Sequence, residues 1–357
     1  MVRHELSLTS DWVSSVRRDP YHIDGMIGLI ARRVAWSAAI LLLASIALFV
    51  FVRATTDPLA VIRGGTTGDP AASGEEASRE LIDAEERRLG LDRPLATQYA
   101  TWLGHFVRGD WGESTVSRRS VATEIRQKLW NTTQLVVWAI LLSLAVAVVV
   151  GVVCASRPDS FVDHLLSGLS FVGLSMPGFW FALLAIEWLV FQPKTLFGLN
   201  QPIFFSVGLR SSTPGVPLDF LRHLALPVLV LSLSLSAAWS RYVRAAMLDV
   251  VSAPYIRMAR AKGVPRRRVL VRHALRNALI PFTTVSAVAI GHLFGGVIVA
   301  ETIFAWPGMG QLFRNALLAG DTNVVLPWLM VAASFVLLLI LISDILLGLL
   351  DPRVRAS

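Results

Sequence analysis

Six apolar runs punctuate the chain, separated by polar stretches of very unequal length. The first, Val34 to Val52, carries no charge, and its 19 residues at about 1.5 Å each reach about 28 Å, enough to cross a bilayer. Further runs extend from Thr132 to Cys154, Leu165 to about Phe191, Leu224 to Trp239, Phe282 to Val299 and Val324 to Leu350. Met176-Pro177-Gly178 interrupts the third. A proline there frees a carbonyl and kinks the helix, which is tolerated where a neighbour or a cavity satisfies the freed group. The pattern predicts an all-α membrane protein with six transmembrane helices.

The polar segments supply the organisation. Residues 1–25 read as a cytoplasmic tail, broken by Arg17-Arg18-Asp19-Pro20. Residues 26–52 read as a short amphipathic interfacial turn, Met26 to Ile30, followed by the first span. Residues 53–130 form a large external loop or cap, with a Gly/Thr/Pro/Ser-rich flexible part at 64–74 and a charged, helix-prone part from Glu75 to Leu91. Residues 131–357 carry spans two to six, with a short cytoplasmic turn at Arg157-Pro158-Asp159, an external loop at 192–222 and a basic cytoplasmic loop at 252–281. In that basic loop, Ser252 is placed to cap a helix and Pro254 suits its first turn, where the missing N–H costs nothing. Gly263 can take the left-handed conformation that ends the helix, and Pro265 can start the next one. The spacing therefore predicts a helix of about nine residues set at a corner, with small Ala259, Ala261 and Gly263 near its end.

Composition and charge fix the class and the orientation. The 357 residues are 54% hydrophobic and only 16% charged, values a water-soluble domain rarely reaches. Of 33 Lys and Arg, 18 lie before Val34, in 155–162, in 241–276 or after Asp351, and 11 of the others lie in the one long loop. Long loops weigh little in topology, so the short segments place both termini in the cytoplasm. The net charge of +8 thus gathers beside apolar runs and points to membrane lipid rather than nucleic acid. Cys154 is the only cysteine, which excludes an internal disulfide and fits simple packing at a helix end. No small-residue cleavage site accompanies the first run, so no secretory leader is expected.

Catalytic chemistry finds no support. None of Lys128, Lys194 and Lys262 follows a glycine, so no phosphate-binding G-x-x-x-x-G-K-S/T loop exists. H-E-x-x-H, paired cysteines and G-x-S-x-G are also absent. No catalytic or metal-ligating residue is assigned. Isolated ionisable residues inside the runs are Glu187, His292 and Asp344, and the fourth is rich in serine, with Ser232, Ser234 and Ser236 inside it and Ser240 just after it. An intramembrane carboxylate is costly and therefore suggests function, yet Glu187 lies near the outer end and can simply reach the interface. The histidine and serines equally suit close helix packing.

Two stretches carry a family resemblance. Ala259-x-Ala261-Lys262-Gly263, followed by His273-Ala274-Leu275-Arg276-Asn277-Ala278-Leu279-Ile280-Pro281, resembles the coupling loop of ABC importer permeases of the dipeptide/oligopeptide/nickel branch. Glu301-Thr302-Ile303-Phe304-Ala305-Trp306-Pro307-Gly308-Met309-Gly310 resembles that family's E-T-x-F-x-x-P-G-x-G at the external end of the pathway. Leu89-Gly90-Leu91-Asp92-Arg93-Pro94, Tyr99, Trp102, Gly109-Asp110-Trp111-Gly112-Glu113-Ser114 and the terminal Asp351-Pro352-Arg353 also fit. Arg257 stands where the generic coupling motif has glutamate, and Pro281 lies farther from Gly263 than in sugar permeases; both are usual in the peptide branch.

The resemblance implies a type I importer permease fold and no ATP hydrolysis in this chain, with ATP and magnesium on partner subunits. It implies a second homologous permease, two ABC ATPases and an extracytoplasmic solute-binding protein, at a bacterial cytoplasmic membrane. Pro254, Tyr255, Met258, Ala259, Ala261, Lys262 and Gly263 are the expected ATPase contact. Glu187, Glu301, Phe304, Pro307, Gly308 and Gly310 are candidates for the external gate or pathway. Peptides are the expected cargo, with nickel complexes and haem as alternatives within the family. An ion-coupled carrier using Glu187, His292 and Asp344 is the rival from another class.

Overall fold

The computed structural model describes residues 21–55, 83–84, 86–87, 90–198, 201–211 and 218–350. Among them no strand forms beyond a single bridge between Glu113 and Ser120. Helix α1 is Tyr21–Thr55, so the interfacial turn expected at Met26 to Ile30 and the first span are one continuous helix. Helix α2 is Leu95–Val107, in the cap segment that follows α1, and α3 is Val121–Ser156. Helices α4, Phe161–Ser175, and α5, Gly178–Ile186, meet at Pro177, and the second continues through a π-turn to Leu196. The bend between them is 106°.

Helix α6 is Asp219–Val251, and α7 is Pro254–Ala261. Arg266–Arg268 and a π-turn over Val269–Ala274 lead into α8, Leu275–Ile303. The chain closes with α9, Met309–Leu318, and α10, Thr322–Leu350. Four stretches are long and apolar enough to cross a membrane: Ile30–Thr55, Val121–Ser156, Asp219–Val251 and Thr322–Ile342. The α4–α5 pair passes the same test only when its two bent halves are taken together, which brings the number to five if they are one span. The run expected as the fifth span lies inside α8, which has 29 residues.

Helix α6 is the hub. It packs on α3, α4, α5 and α8, and 56% of its apolar window is buried against 11% for α1. Small residues let the helices close. A Cβ at Gly151 of α3 would lie 2.6 Å from Val243 Cγ1 of α6, far inside contact distance, so only glycine fits there. Three of the four serines of α6 belong to this packing, while Ser234 is exposed. Ser232, Ser236 and Ser240 are buried and each donates to the carbonyl three residues earlier. Ser240 also pairs with Ser170 of α4 at 3.1 Å, and Ser143 of α3 reaches the Ser232 carbonyl at 3.2 Å.

The cap that follows α1 is fastened to the helix bundle. Phe49, Tyr99, Trp102, Phe106 and Trp111 form a run of neighbouring rings with centroids 5.3–6.1 Å apart. Ser45 of α1 bonds the Tyr99 hydroxyl at 2.7 Å, and Ser114 donates to buried Asp321 at 2.6 Å. The cap therefore grips both the first helix and the turn before the last.

Candidate functional site

Helix α7 begins where Pro254 forces the preceding residue into extended backbone. Ala253, at ψ 148°, is the cap position, and no side chain caps it. Ser252, expected to cap, instead turns its hydroxyl back to the Asp249 carbonyl at 2.7 Å. The helix has 8 residues, one fewer than the spacing predicted. Its end is a Schellman motif: Val264 N–H donates to the Ala259 carbonyl, Gly263 N–H to that of Arg260, and Gly263 sits at φ +75°. That left-handed angle is open to glycine at little cost.

One side chain pins this helix to the bundle. Ile256 is fully buried among Met247, Val269, Leu270 and Ala274, while Ala259 and Val264 pack partly against the same cluster. Burying an isoleucine in this way stabilises by about 1.5–3 kcal/mol. The opposite face is open: Tyr255, Met258, Ala261 and Lys262 are exposed, together with Pro254, Arg257, Arg260 and Gly263. Tyr255 is oriented by Asn277 Nδ2, which donates to its hydroxyl at 2.9 Å. The arrangement is a short, rigid, basic helix with a bare outer face, standing beyond the ends of α6 and α8.

Two contacts brace that segment, and neither was singled out from the sequence. Asp163, buried near the start of α4, accepts both Arg244 Nε and Nη2 of α6 at 2.7 Å. A planar guanidinium meeting a carboxylate in this two-bonded way fixes direction as well as distance. Arg266 donates to the Ser156 carbonyl at the end of α3. Arg244 and Arg266 figure in the sequence only as charges that set topology, and Asp163 is separated from its partner by 81 residues.

At the other end of the bundle, the E-T-x-F-x-x-P-G-x-G stretch folds into a clasp. Glu301 is fully buried. Its Oε1 accepts the Thr132 hydroxyl at 2.5 Å, and its Oε2 accepts the N–H groups of Gly310 and Gln311 at 2.6 and 3.2 Å. Those N–H groups belong to the first turn of α9, where orphan donors and the helix dipole favour an anion. Thr132 also accepts the Met309 N–H at 2.7 Å, Asn131 donates to the Pro307 carbonyl at 2.8 Å, and Trp306 donates to the Asn131 carbonyl at 3.1 Å. A Cβ at Gly308 would overlap the Glu301 carboxylate, and one at Gly310 would come within 2.7 Å of Ile298 Cα. The glycines make room for the acid.

The six residues expected at the external gate or pathway therefore divide. Glu301, Phe304, Gly308 and Gly310 are buried and Pro307 is half-buried, all in or beside the clasp. The Phe304 carbonyl accepts Gly208 N–H at 2.9 Å, which ties the loop before α6 to the same place. Glu187 is exposed on the π-turn after α5, where Gln192 donates to it at 3.0 Å. The side chains of His292 and Asp344 lie outside the described residues. Among the described residues no group of His, Cys, Asp and Glu is placed to hold a metal ion.

Comparison with known proteins adds the family. An oligopeptide transport system permease, AppB of Bacillus subtilis, is 37% identical over 333 residues, covering 92% of this chain and all of that one. A di/tripeptide transport system permease, DppB of Pseudomonas aeruginosa, is 35% identical, covering 92% of this chain and 99% of that one. A glutathione transport system permease, GsiC of Escherichia coli, is 32% identical over a similar extent, 92% and 99%. Among solved structures, the inward-facing MetNI methionine ABC transporter matches with a TM-score of 0.50 at 16% identity, over 64% of this chain and 96% of that one. That likeness is one of fold, and the chain has the type I ABC permease architecture. Residues 147–356 match the family described as binding-protein-dependent transport system inner membrane component, and the chain belongs to that family.

Proposed function

We propose that this chain is one permease subunit of an ATP-driven importer of di- and oligopeptides, forming half of the translocation pathway. The observation that carries the reading is α7: a basic helix anchored by a single buried side chain, with its outer face bare. An ABC ATPase pair seated on this helix and on its counterpart in a second, homologous permease would bind ATP and magnesium, close, and move the two helices as levers. The contact would be made by Pro254, Tyr255, Met258, Ala259, Ala261, Lys262 and Gly263. The Asp163–Arg244 pair and the Arg266 contact would pass the movement to α4, α6 and α3. A solute-binding protein would deliver the peptide from outside. In this reading the chain crosses the cytoplasmic membrane six times with both termini inside, and the Glu301 clasp sets the position of the outer gate, where Phe304, Pro307, Gly308 and Gly310 frame the turn. Glu187, exposed and free of a cationic partner among the described residues, stands as the acid able to meet a peptide's amino group.

The test is uptake by the complex purified from native membranes and reconstituted in vesicles with its binding protein. Labelled tripeptide should accumulate only with ATP and should be indifferent to an ionophore. Uptake by this chain alone, abolished by an ionophore, would refute the reading and favour the ion-coupled carrier.

A further inference from the structure

The outer cap holds a cavity that the lever account does not use. It measures about 550 Å³ and lies between α2, the turns that follow it and the start of α10, within the ~300–1,000 Å³ that small-ligand sites occupy. Its charged lining is Arg53, Arg93 and Arg118 against Asp110 and Glu113. Asp110 is engaged by His105 at 2.9 Å, and that hydrogen bond holds its carboxyl below the usual range. The three arginines have no ion-pair partner among the described residues.

Two groups on this cavity are buried and unmet. Among the described residues Arg53 Nε finds no acceptor, and Gln98 Oε1 finds no donor. The Gln98 amide nitrogen is already committed to the Leu91 and Arg93 carbonyls, so its oxygen is the end left open. Buried polar groups are nearly always paired, and each exception asks for a partner. A ligand that satisfies both presents an anion and an N–H donor. Beside them, Trp102 and Trp111 stack on either side of Phe106, at 5.5 and 5.3 Å, and give the cavity an aromatic wall. The two carboxylates disfavour a polyanion and suit a zwitterion.

We infer that this cavity binds the carboxyl end of a short peptide. The carboxylate sits on Arg53 with Arg93 and Arg118 near it, a peptide N–H meets Gln98 Oε1, and a side chain lies on the aromatic wall. The inference rests on the peptide-importer reading but places the ligand on the cap rather than in the path between permeases.

The experiment is calorimetric titration of the full chain in nanodiscs of neutral lipid, without ATPase, with trialanine and with trialanine amide as probes. Trialanine should bind, and the amide at least tenfold more weakly. Arg53→Gln and the exposed Arg93→Gln should each weaken trialanine several-fold and leave the amide unchanged. No binding of trialanine, equal binding of acid and amide, or indifference to both substitutions would overturn the inference. Loss of trialanine binding when the discs contain an anionic phospholipid would assign the arginines to a headgroup and overturn it equally. ATP-driven tripeptide uptake by the assembled importer is measured alongside. Normal uptake with no binding to the nanodisc chain removes the cavity site and leaves the transport reading standing. Carboxylate-dependent binding without uptake does the reverse.

Discussion

Removing the Glu301 carboxylate should open the clasp, and the structure sets the size of the effect. In Glu301→Ala three donors lose their acceptor: the Thr132 hydroxyl and the N–H groups of Gly310 and Gln311. Stranding a buried donor costs about 1–3 kcal/mol, so with some relaxation the sum is about 3–6 kcal/mol. In Glu301→Gln one oxygen still serves the two N–H groups, but the new amide faces a threonine hydroxyl that already accepts from Met309. That exchange costs about 1–2 kcal/mol. For a chain of this size about 2 °C accompanies each kcal/mol, giving midpoint losses of about 6–12 °C for Glu301→Ala and about 2–4 °C for Glu301→Gln. The assay is thermal unfolding of the full chain in detergent followed by tryptophan fluorescence, since Trp306 is hydrogen-bonded within the clasp. Thr132→Val should be strongly non-additive with Glu301→Gln, because the two groups share one bond. Both Glu301 variants melting with the wild type would show that the clasp carries no stability, and the reasoning would fail.

Three further outcomes follow from the same structure. Ile256→Ala should cost about 2–5 kcal/mol at a fully buried site, loosening α7, whereas exposed Met258→Ala should leave the melting midpoint unchanged; both should lower peptide-driven ATP hydrolysis in the assembled importer. Asp163→Ala leaves Arg244 without its two-bonded partner and should cost about 3 kcal/mol or more, read as a lower midpoint with α6 exchanging amide hydrogens faster near its C-terminal end. Gly151→Ala should cost about 1–3 kcal/mol by overpacking against Val243, and Val243→Ala in the same chain should restore part of the loss.

Four of the six expected spans, and a fifth if the bent α4–α5 pair is one span, were legible because crossing lipid demands about twenty apolar residues in a row, and that demand is written locally. Their ends were not. Helix α3 runs from Val121, well before the apolar run at Thr132, and α1 absorbs the expected interfacial turn. Polar residues continue a helix past the membrane without any change of local propensity. Gly263 and Pro265 announced the corner after α7, since a left-handed glycine and a missing N–H act on their own neighbours. Ser252 misled for the same kind of reason: Pro254 forces Ala253, not Ser252, into the extended conformation that a cap requires. The motif around Glu301 was visible as a string, but its geometry was not. Thr132, its partner, lies 169 residues away, and a single sequence gives no sign that the two meet. The same holds for Asp163 with Arg244. What the sequence displays as charge near a membrane end, the fold uses as a brace.

An ATPase seated on α7 can be detected directly, because Cys154 is the only cysteine of the chain. In a Cys154→Ala chain, Met258→Cys and Ile256→Cys are compared by cross-linking in native membranes, with the attached protein identified by mass spectrometry. The account predicts that Met258→Cys links to a protein bearing a G-x-x-x-x-G-K-S/T loop, and that buried Ile256→Cys does not. Cross-linking of neither position to any such protein, in membranes that still take up tripeptide, would contradict it.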